Sequence, residues 1–375
     1  MPTTMSIRTP HQNQESIQQL LTASSAGLVQ MYDTQRNLFC SRMVHTANGM
    51  KAEGISHRYS LITLMGLLKF ARAGGPVPNN MDAALGALVL ETSWVASAGD
   101  LGLLLWLCSL AAPERIEQFF AIHNLSEALE RFPDASERKT MELSWILAGL
   151  AHATLARPEL SGTLTPLARK IFAVIEGNRG AHGIFGHQAQ QGGAKGLVRG
   201  RFGSFADQVY PIYAFAWASR AFGWREALLH SLASANAICK AQGELGQWWW
   251  HYDAKTGEAV GKYPVYSVHQ HGMAPMALFA LHDVAEADYQ KEIYRGLEWI
   301  YGQNELNMDM RDTNSKVVWR CIRPTKSRRY LDQALAILNP GHRVEIRNLR
   351  VLKECWPYEL GWLLFSFAGR QMETE

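Results

Sequence analysis

Three ionisable residues stand just ahead of apolar helical segments, where they could act as general acids and bases. His269 and His271 are separated by one residue and are followed by Pro275, while Asp207 precedes a run of aromatic residues. Imidazole titrates near neutral pH, and an aromatic setting shifts the pKa of a carboxyl group. A helix-capping aspartate and a buried core histidine are the alternative interpretations. The predicted catalytic residues are Asp207, His269 and His271, with Tyr210 and Tyr266 orienting the substrate.

Prolines indicate where three of these helices begin, because the N–H group that proline lacks has no partner in a first turn. Pro211, Pro275 and Pro357 therefore predict that the residues before them lie on one rim. Converging helix N-termini offer free N–H groups and the positive ends of helix dipoles, which favour an anion. For Glu91, Glu142 and Glu359, the alternative interpretation is a carboxylate that caps the first turn of a helix. The predicted substrate-binding residues are Arg58, Tyr59, Glu91, Glu142, Gln208, Trp248, Trp249, Trp250, Arg199, Arg323, Tyr358 and Glu359.

Strongly apolar helical segments position these residues, and each alternates with a segment that is apolar on one side only. The apolar segments run from His57 to Ala73, Glu91 to Ala112, Glu142 to Ala156, Asp207 to Gly223, His269 to Leu281 and Trp356 to Gly369. Their partners run from Glu15 to Met43, Met81 to Leu90, Glu114 to Phe132, Pro166 to Gly177, Trp224 to Gln242 and Tyr289 to Asn304. The alternation predicts an all-α fold, an (α/α)6 toroid whose inner helices point their N-termini to one mouth.

Two long irregular segments are predicted to roof this mouth. Residues Gly180 to Gly203 are rich in glycine and carry several cations, which predicts a mobile basic flap. Alternation from Val317 to Arg323 and from Arg343 to Arg347 predicts a small β-hairpin or paired strands, and the alternative for residues 305–354 is an irregular insert. The cations of this insert either form a solvated face or favour an anionic ligand; they include Arg320, Arg323, Lys326, Arg328 and Arg329.

The composition narrows the class of protein. With 375 residues, 47% of them hydrophobic, the chain can bury one large core, and a single toroid domain over residues 1–375 is predicted. A net charge of +3 implies no general affinity for nucleic acid. Met1 to Gln14 has no apolar export segment, and Leu101 to Ala112 is too short to span a bilayer, so no transmembrane segment is expected, while peripheral contact with a membrane stays open. Five scattered cysteines predict free thiols in a cytoplasmic protein that uses no metal and no cofactor.

Aromatic residues are a further indication of the substrate. The chain has twelve tryptophans, and Trp248, Trp249 and Trp250 are consecutive, so no single helix face could bury all three. Filling of the core between the two rings accounts for part of this content. Flat aromatic walls suit sugar rings, and they equally suit isoprenoid chains or carbocations.

One short motif resembles a known repeat. Residues Gln242 to Trp248 fit the QxxxGxW repeat of terpene cyclases, and Asn178 to Phe185 is a looser version of it. The resemblance implies a helical toroid in which the motif ties helix ends together and takes no part in catalysis. The chain lacks the DxDD motif that protonates an alkene in those cyclases, and it lacks the Asp/Cys/His zinc set of protein prenyltransferase β-subunits.

A second resemblance is local. Residues Tyr263 to Ala274 are similar to the tyrosine-serine entrance of a toroid helix in glucuronyl C5-epimerases, which act on uronic acids within glycans. Six-hairpin sugar hydrolases and lyases share the proposed mouth geometry, as does the N-acylglucosamine 2-epimerase group with its paired histidines. These resemblances imply an enzyme that acts on sugars.

Three functions are compatible with these features. The first is a carbohydrate-active enzyme, an epimerase, lyase or hydrolase, that uses metal-independent acid and base chemistry on an acidic or lipid-linked glycan. Such a glycan would meet Arg58, Arg199 or Arg323 in a bidentate pair. The second is a terpene cyclase-like or isoprenoid-binding enzyme, favoured by the QxxxGxW repeat and opposed by the missing acid motif. The third is a protein that binds glycans without catalysis.

Overall fold

The computed structural model describes residues 10–76, 81–91, 93–131, 139–189, 193–325 and 348–370. Helices dominate these ranges. In chain order they are α1 (Pro10–Gln30), α2 (His57–Arg72), α3 (Met81–Leu90), α4 (Ala98–Ala111), α5 (Ile116–Ile122), α6 (Leu125–Arg131), α7 (Thr140–Ala156), α8 (Ser161–Gly177), α9 (Gly193–Arg201), α10 (Ala206–Phe222), α11 (Arg225–Lys240), α12 (Ala274–Ala285), α13 (Gln290–Ile300) and α14 (Pro357–Phe367). A π-helical turn, His269–Met273, leads directly into α12.

Six of these helices close a ring. The helices α2, α4, α7, α10, α12 and α14 each pack against the next in this order, and α14 packs against α2. Their side chains are buried around most of each helix because the ring is covered from outside by helices such as α1, α3, α8 and α11. The predicted (α/α)6 toroid is confirmed.

All six inner helices point in the same direction. Residues near their C-terminal ends line one cavity, to which every inner helix contributes. At the other end, side chains in the first turns form contacts between neighbouring helices, as Arg58 of α2 does with Asp100 of α4. The predicted convergence of the inner N-termini on one mouth is therefore confirmed.

Glycines bring neighbouring inner helices into backbone contact. A Cβ atom added to Gly66 of α2 would lie 2.1 Å from the carbonyl oxygen of Gly361 on α14. One added to Gly149 of α7 would lie 2.6 Å from the carbonyl oxygen of Gly102 on α4. Any side chain at these points would push the two backbones apart, so the glycines set how tightly the ring closes.

Short antiparallel strands connect the helices. They are β1 (Tyr32–Asp33), β2 (Leu38–Phe39), β3 (Arg42–Thr46), β4 (Gly49–Glu53), β5 (Phe202–Ser204), β6 (His251–Asp253), β7 (Ala259–Val260), β8 (Val265–Tyr266), β9 (Arg311–Asp312), β10 (Val317–Val318), β11 (Cys321–Pro324), β12 (Leu349–Leu352) and β13 (Glu354–Cys355). The sheets are β1-β2, β10-β9, β12-β11-β8, β13-β3-β4 and β5-β6-β7. The β8 strand precedes the π-helical turn, so β11 is held beside the mouth.

The predicted strand from Val317 to Arg323 is present as β10 and β11, which confirms a small β insert in this region. The predicted partner from Arg343 to Arg347 lies outside the described residues, as do Lys326, Arg328 and Arg329. The β11 strand pairs with β12 on one side and with β8 on the other, with Cys321 opposite both Leu352 and Tyr266.

Three local predictions that bear on the mouth are wrong. The inner helix α4 begins at Ala98, and Glu91 lies beyond the end of the outer helix α3, because Asp100 accepts the backbone N–H groups that start α4. Pro211 lies in the second turn of α10, and Asp207 lies in the first. The segment from Gly180 to Gly203 is packed where it is described, since Phe185 is fully buried and α9 and β5 follow.

No helix in the described ranges is both long enough and apolar enough to cross a membrane. The five cysteines are all free, and four of them are buried: Cys40, Cys108, Cys321 and Cys355.

Candidate active site

At the mouth, Arg58 in the first turn of α2 is held by a buried aspartate. Its Nε donates to Asp100 Oδ1 at 2.6 Å, and its Nη2 donates to Ser97 Oγ at 3.3 Å. The Arg58 side chain keeps 32% of its surface exposed, whereas that of Asp100 keeps 3%. The guanidinium also lies 5.4 Å from the centre of the Trp145 ring on α7. Because a guanidinium has five N–H donors, Arg58 is an oriented cation that retains donors for an anionic ligand.

A second partly exposed group held by a buried aspartate lies where α7 and α10 begin. Asp207 is fully buried and accepts hydrogen bonds from the N–H and hydroxyl of Ser204 at 2.8 and 2.7 Å and from the N–H of Met141 at 3.2 Å. The Nδ1 atom of His187 lies 3.0 Å from Asp207 Oδ2. The charge of Asp207 raises the pKa of His187, whose side chain is 24% exposed. Asp207 thus orients the imidazole and leaves Nε2 as the atom that can exchange a proton.

Arg320 and Glu359 form a buried ion pair at the entrance to α14. Arg320 Nη1 lies 2.5 Å from Glu359 Oε1, and Glu359 Oε2 accepts the backbone N–H of Trp356 at 3.1 Å. Burial raises the pKa of Glu359 to about 7, although Arg320 acts in the opposite direction. The Arg320 guanidinium is 3.4 Å from the Trp356 ring centre and 5.1 Å from that of Tyr266. Glu359 therefore combines a helix cap with an anchor for Arg320, which lies just before β11 and reaches both aromatic rings.

Partly exposed aromatic rings line the mouth between these pairs. Tyr59 lies 4.8 Å from Tyr358 and 5.4 Å from Trp356, measured between ring centres. On the other side of Arg320, Trp250 and Tyr266 meet edge to face at 5.5 Å. All five side chains keep some exposure, so they offer flat surfaces against which a sugar ring can pack.

The two predicted catalytic histidines lie in different surroundings. His269 is 6% exposed, and its ring lies 4.4 Å from that of Phe205 and 5.2 Å from that of Tyr266. His271 is fully buried, and neither of its ring nitrogens has a partner among the described residues. Burial lowers the pKa of each histidine to about 3, so both are neutral at physiological pH. The structure brings His269 beside Tyr266 and keeps His271 inside the wall.

Tyr210 and several predicted binding residues also lie inside the wall of the mouth. Tyr210 is 4% exposed, and its hydroxyl accepts the indole N–H of Trp362 at 2.9 Å. The side-chain amide of Gln208 accepts the N–H of Phe185 and donates to the carbonyl oxygens of Phe185 and Ser204. Trp248 is fully buried against Phe205, and Trp249 is 7% exposed beneath Lys262. Of the three consecutive tryptophans, Trp250 is the one that reaches the partly exposed aromatic cluster.

The remaining predicted residues belong to several other elements. Glu142 pairs with Lys139 at 3.1 Å in the first turn of α7. Arg199 is near His187, because its carbonyl oxygen accepts the His187 N–H at 3.0 Å. Arg323 lies on β11, three residues after Arg320 in the sequence. Glu91 is exposed and accepts the N–H of Ser93.

Three residues of the mouth were not singled out from the sequence as site residues. Arg320 was only one member of a basic cluster. Asp100 could have been found, because Ser97 and Asp100 have the spacing of an N-terminal capping motif. No sequence pattern pairs His187 with Asp207, which are separated by 20 positions. Within the described ranges, no group of three or more His, Cys, Asp or Glu residues is placed to hold a metal ion.

No family model matches the chain, and no curated protein matches it in sequence. Solved structures match it over almost its whole length. An unsaturated glucuronyl hydrolase from Streptococcus agalactiae is 12% identical with a TM-score of 0.57, covering 98% of this chain and 94% of that chain. A glycosyl hydrolase of family 88 from Bacteroides vulgatus is 10% identical with a TM-score of 0.58, covering 96% and 98%.

A mutant of the Streptococcus agalactiae enzyme, solved in complex with dGlcA-GalNAc6S, is 13% identical with a TM-score of 0.57, covering 99% of this chain and 95% of that one. At such low identity these matches establish the fold, an α/α toroid. The resemblances to terpene cyclases and to glucuronyl C5-epimerases stay predictions.

Proposed function

We propose that this protein is a glycoside hydrolase that acts on an acidic glycan at the mouth formed by the inner-helix N-termini. The observation that supports this function most is that Arg58 and His187 are both partly exposed and are each oriented by a buried aspartate. Arg58 can bind a carboxylate or sulfate, and His187 can transfer a proton. The solved structures with the same fold include hydrolases of unsaturated glucuronyl groups, which favours a uronic acid as the charged part of the substrate.

Hydrolysis of a glycosidic bond requires a proton for the leaving oxygen and a base for the attacking water. Asp207 raises the pKa of His187, so a larger fraction of the imidazole carries a proton near neutral pH. His187 donates that proton from Nε2 to the leaving oxygen, and the imidazole then takes a proton from the water that attacks the anomeric carbon. Asp207 stabilises the imidazole whenever it is protonated, before the leaving oxygen takes the proton and after water returns one, and it acts through His187.

The other groups of the mouth bind and orient the sugar. Arg58 meets the uronate carboxylate, since Asp100 holds its guanidinium in a fixed orientation. The sugar ring packs against Tyr358 and Tyr266, and the neutral imidazole of His269 is placed beside Tyr266 to accept a bond from a hydroxyl group. His271 and Tyr210 support this surface from inside the wall.

The disaccharide dGlcA-GalNAc6S is the probe for this proposal, and mass spectrometry of the two released sugars is the measurement. We expect His187→Gln to lower kcat about 10²-fold or more, because proton transfer is lost. We expect Arg58→Met to raise KM about tenfold or more with a smaller change in kcat, because a charge-assisted contact to substrate is lost. The matched control is His182→Gln, which changes an exposed histidine of the same connecting segment.

Other reaction types give different products. A change of configuration without cleavage would indicate an epimerase, and a new double bond in a saturated glycan would indicate a lyase. Either result would replace the proposed hydrolysis. Wild-type kinetics in both His187→Gln and Arg58→Met would place the site elsewhere on the toroid.

A further inference from the structure

A cavity of about 530 Å³ lies at the C-terminal ends of the inner helices, on the side of the toroid opposite the mouth. Cavities of this size are typical of sites for small organic ligands. Each of the six inner helices contributes to its wall. None of the groups in the proposed hydrolytic mechanism lines it, so its chemistry has to be explained separately.

Aromatic rings form one part of the wall of this cavity. It includes Tyr213, Trp217, Phe279 and Phe365. The Nε1 atom of Trp217 is buried and has no partner among the described residues. His152 lies against Tyr213, with Nε2 2.8 Å from the tyrosine hydroxyl, and burial lowers the pKa of His152 to about 3. This part of the wall is therefore uncharged and offers flat apolar ring faces.

Cations surround this apolar part. The charged residues in the wall are Lys69, Arg72, Arg220, Arg370 and Asp283. Arg370 is occupied, because its guanidinium makes two bonds to the carboxylate of Asp283, at 2.9 and 2.6 Å. The other three cations face no carboxylate in any described ion pair.

Those three cations each donate to one helix carbonyl. Lys69 Nζ donates to Phe365 O at 2.7 Å, Arg72 Nη2 to Leu110 O at 2.5 Å and Arg220 Nη1 to Asp283 O at 3.2 Å. These bonds cap the helix ends and offset the negative ends of the dipoles. An ammonium has three N–H donors and a guanidinium has five, so capping uses a minority of the donors.

We propose that this cavity is a second ligand site that binds a small organic anion with a flat apolar body. The carboxylate, sulfonate or phosphate of the ligand meets Lys69, Arg72 and Arg220, and its body packs against Trp217 and Phe279. Capping alone would not require an aromatic cavity behind the cations. Burial lowers the pKa of Lys69 to about 8, and a bound anion would favour its charged form.

Two dyes that differ by one charged group test this proposal. The anion is 1-anilinonaphthalene-8-sulfonate, and the matched neutral compound is N-phenyl-1-naphthylamine. Fluorescence titration of the full chain should show saturable binding of the sulfonate, with the neutral dye bound at least about tenfold more weakly. Equal affinity for the two dyes would overturn the assignment of an anion site.

Variants locate the bound dye. Lys69→Met and Arg72→Met should each weaken binding of the sulfonate about tenfold. Ala156→Trp, at the partly exposed end of α7, should abolish binding of both dyes by filling the cavity. The control is Lys353→Met, which removes a lysine lying 5.7 Å from the Trp319 ring outside the cavity wall. Full dye binding in folded Ala156→Trp would show that the dye lies elsewhere and would overturn the site.

Discussion

Lowering the pH from 7 to 5 should destabilise this protein mainly through three buried histidines. Burial lowers the pKa of His152, His269 and His271 to about 3 in the folded state. A group with a lowered folded pKa contributes stability above its unfolded pKa, about 6.5 for histidine, and that stability is lost as the pH falls. Between pH 7 and pH 5 the loss is about 1.9 kcal/mol for each histidine, or roughly 6 kcal/mol for the three.

Two groups at the mouth offset part of this loss. Burial raises the folded pKa of Glu359 to about 7, and the nearby Asp207 raises that of His187. A raised pKa contributes stability that is present at low pH and is lost as the pH rises. The contribution of Glu359 to the free energy of unfolding is therefore about 2 kcal/mol larger at pH 5 than at pH 7. The net loss stays at about 4 kcal/mol or less, which is still a large part of the ~5–15 kcal/mol stability of a typical protein.

The variant His271→Leu isolates one of the three histidines. Neither ring nitrogen of His271 has a described partner, so an apolar side chain of similar volume removes the titration without removing a hydrogen bond. The free energy of unfolding of the variant minus that of wild type should rise by about 1.9 kcal/mol when the pH is lowered from 7 to 5.

Urea denaturation followed by tryptophan fluorescence at pH 7, 6 and 5 measures this difference. The control is His182→Gln at an exposed position, for which the difference from wild type should stay nearly constant. If His271→Leu also differs from wild type by the same amount at every pH, the imidazole of His271 is not kept neutral by burial, and the reasoning is refuted.

Two further predictions concern the scaffold. Gly66→Ala should lower the free energy of unfolding by about 1–3 kcal/mol, because the new Cβ would lie 2.1 Å from the Gly361 carbonyl oxygen, whereas Gly162→Ala, with no atom within 4 Å, should change it by less than about 1 kcal/mol. If urea denaturation gives the same change in free energy of unfolding for both variants, the contact between α2 and α14 at Gly66 does not contribute to stability. Gln242→Ala should lower the free energy of unfolding by about 2 kcal/mol, because the Gln242 amide donates to the carbonyls of Gly246 and Glu292. The rate of dGlcA-GalNAc6S cleavage should stay unchanged in Gln242→Ala, and a large fall in kcat would contradict a purely structural role for the QxxxGxW motif.

The sequence alone determined the toroid and the end of it that carries the mouth. Hydrophobic periodicity is a local property, so α2, α7 and α10 could be predicted almost to the residue. Prolines near the helix starts placed Asp207, His269 and Glu359 near one rim, because a proline constrains the backbone around it wherever the chain goes next. Pro211 marks α10 less closely than predicted, since it lies in the second turn. The start of α4 was predicted at Glu91, whereas the helix begins at Ala98, where Asp100 accepts the backbone N–H groups of Ala96 and Ser97.

Only the tertiary structure decided which of these groups act together. Asp207 meets His187 and Asp100 meets Arg58 across gaps of 20 and 42 positions, and Arg320 meets Glu359 across 39. At the opposite end, Lys69 reaches the carbonyl of Phe365 across 296 positions and helps to enclose a cavity that no local pattern indicates. Side-chain pairing depends on which helix ends become neighbours when the ring closes, whereas helical periodicity is set by residues within a few turns of one another.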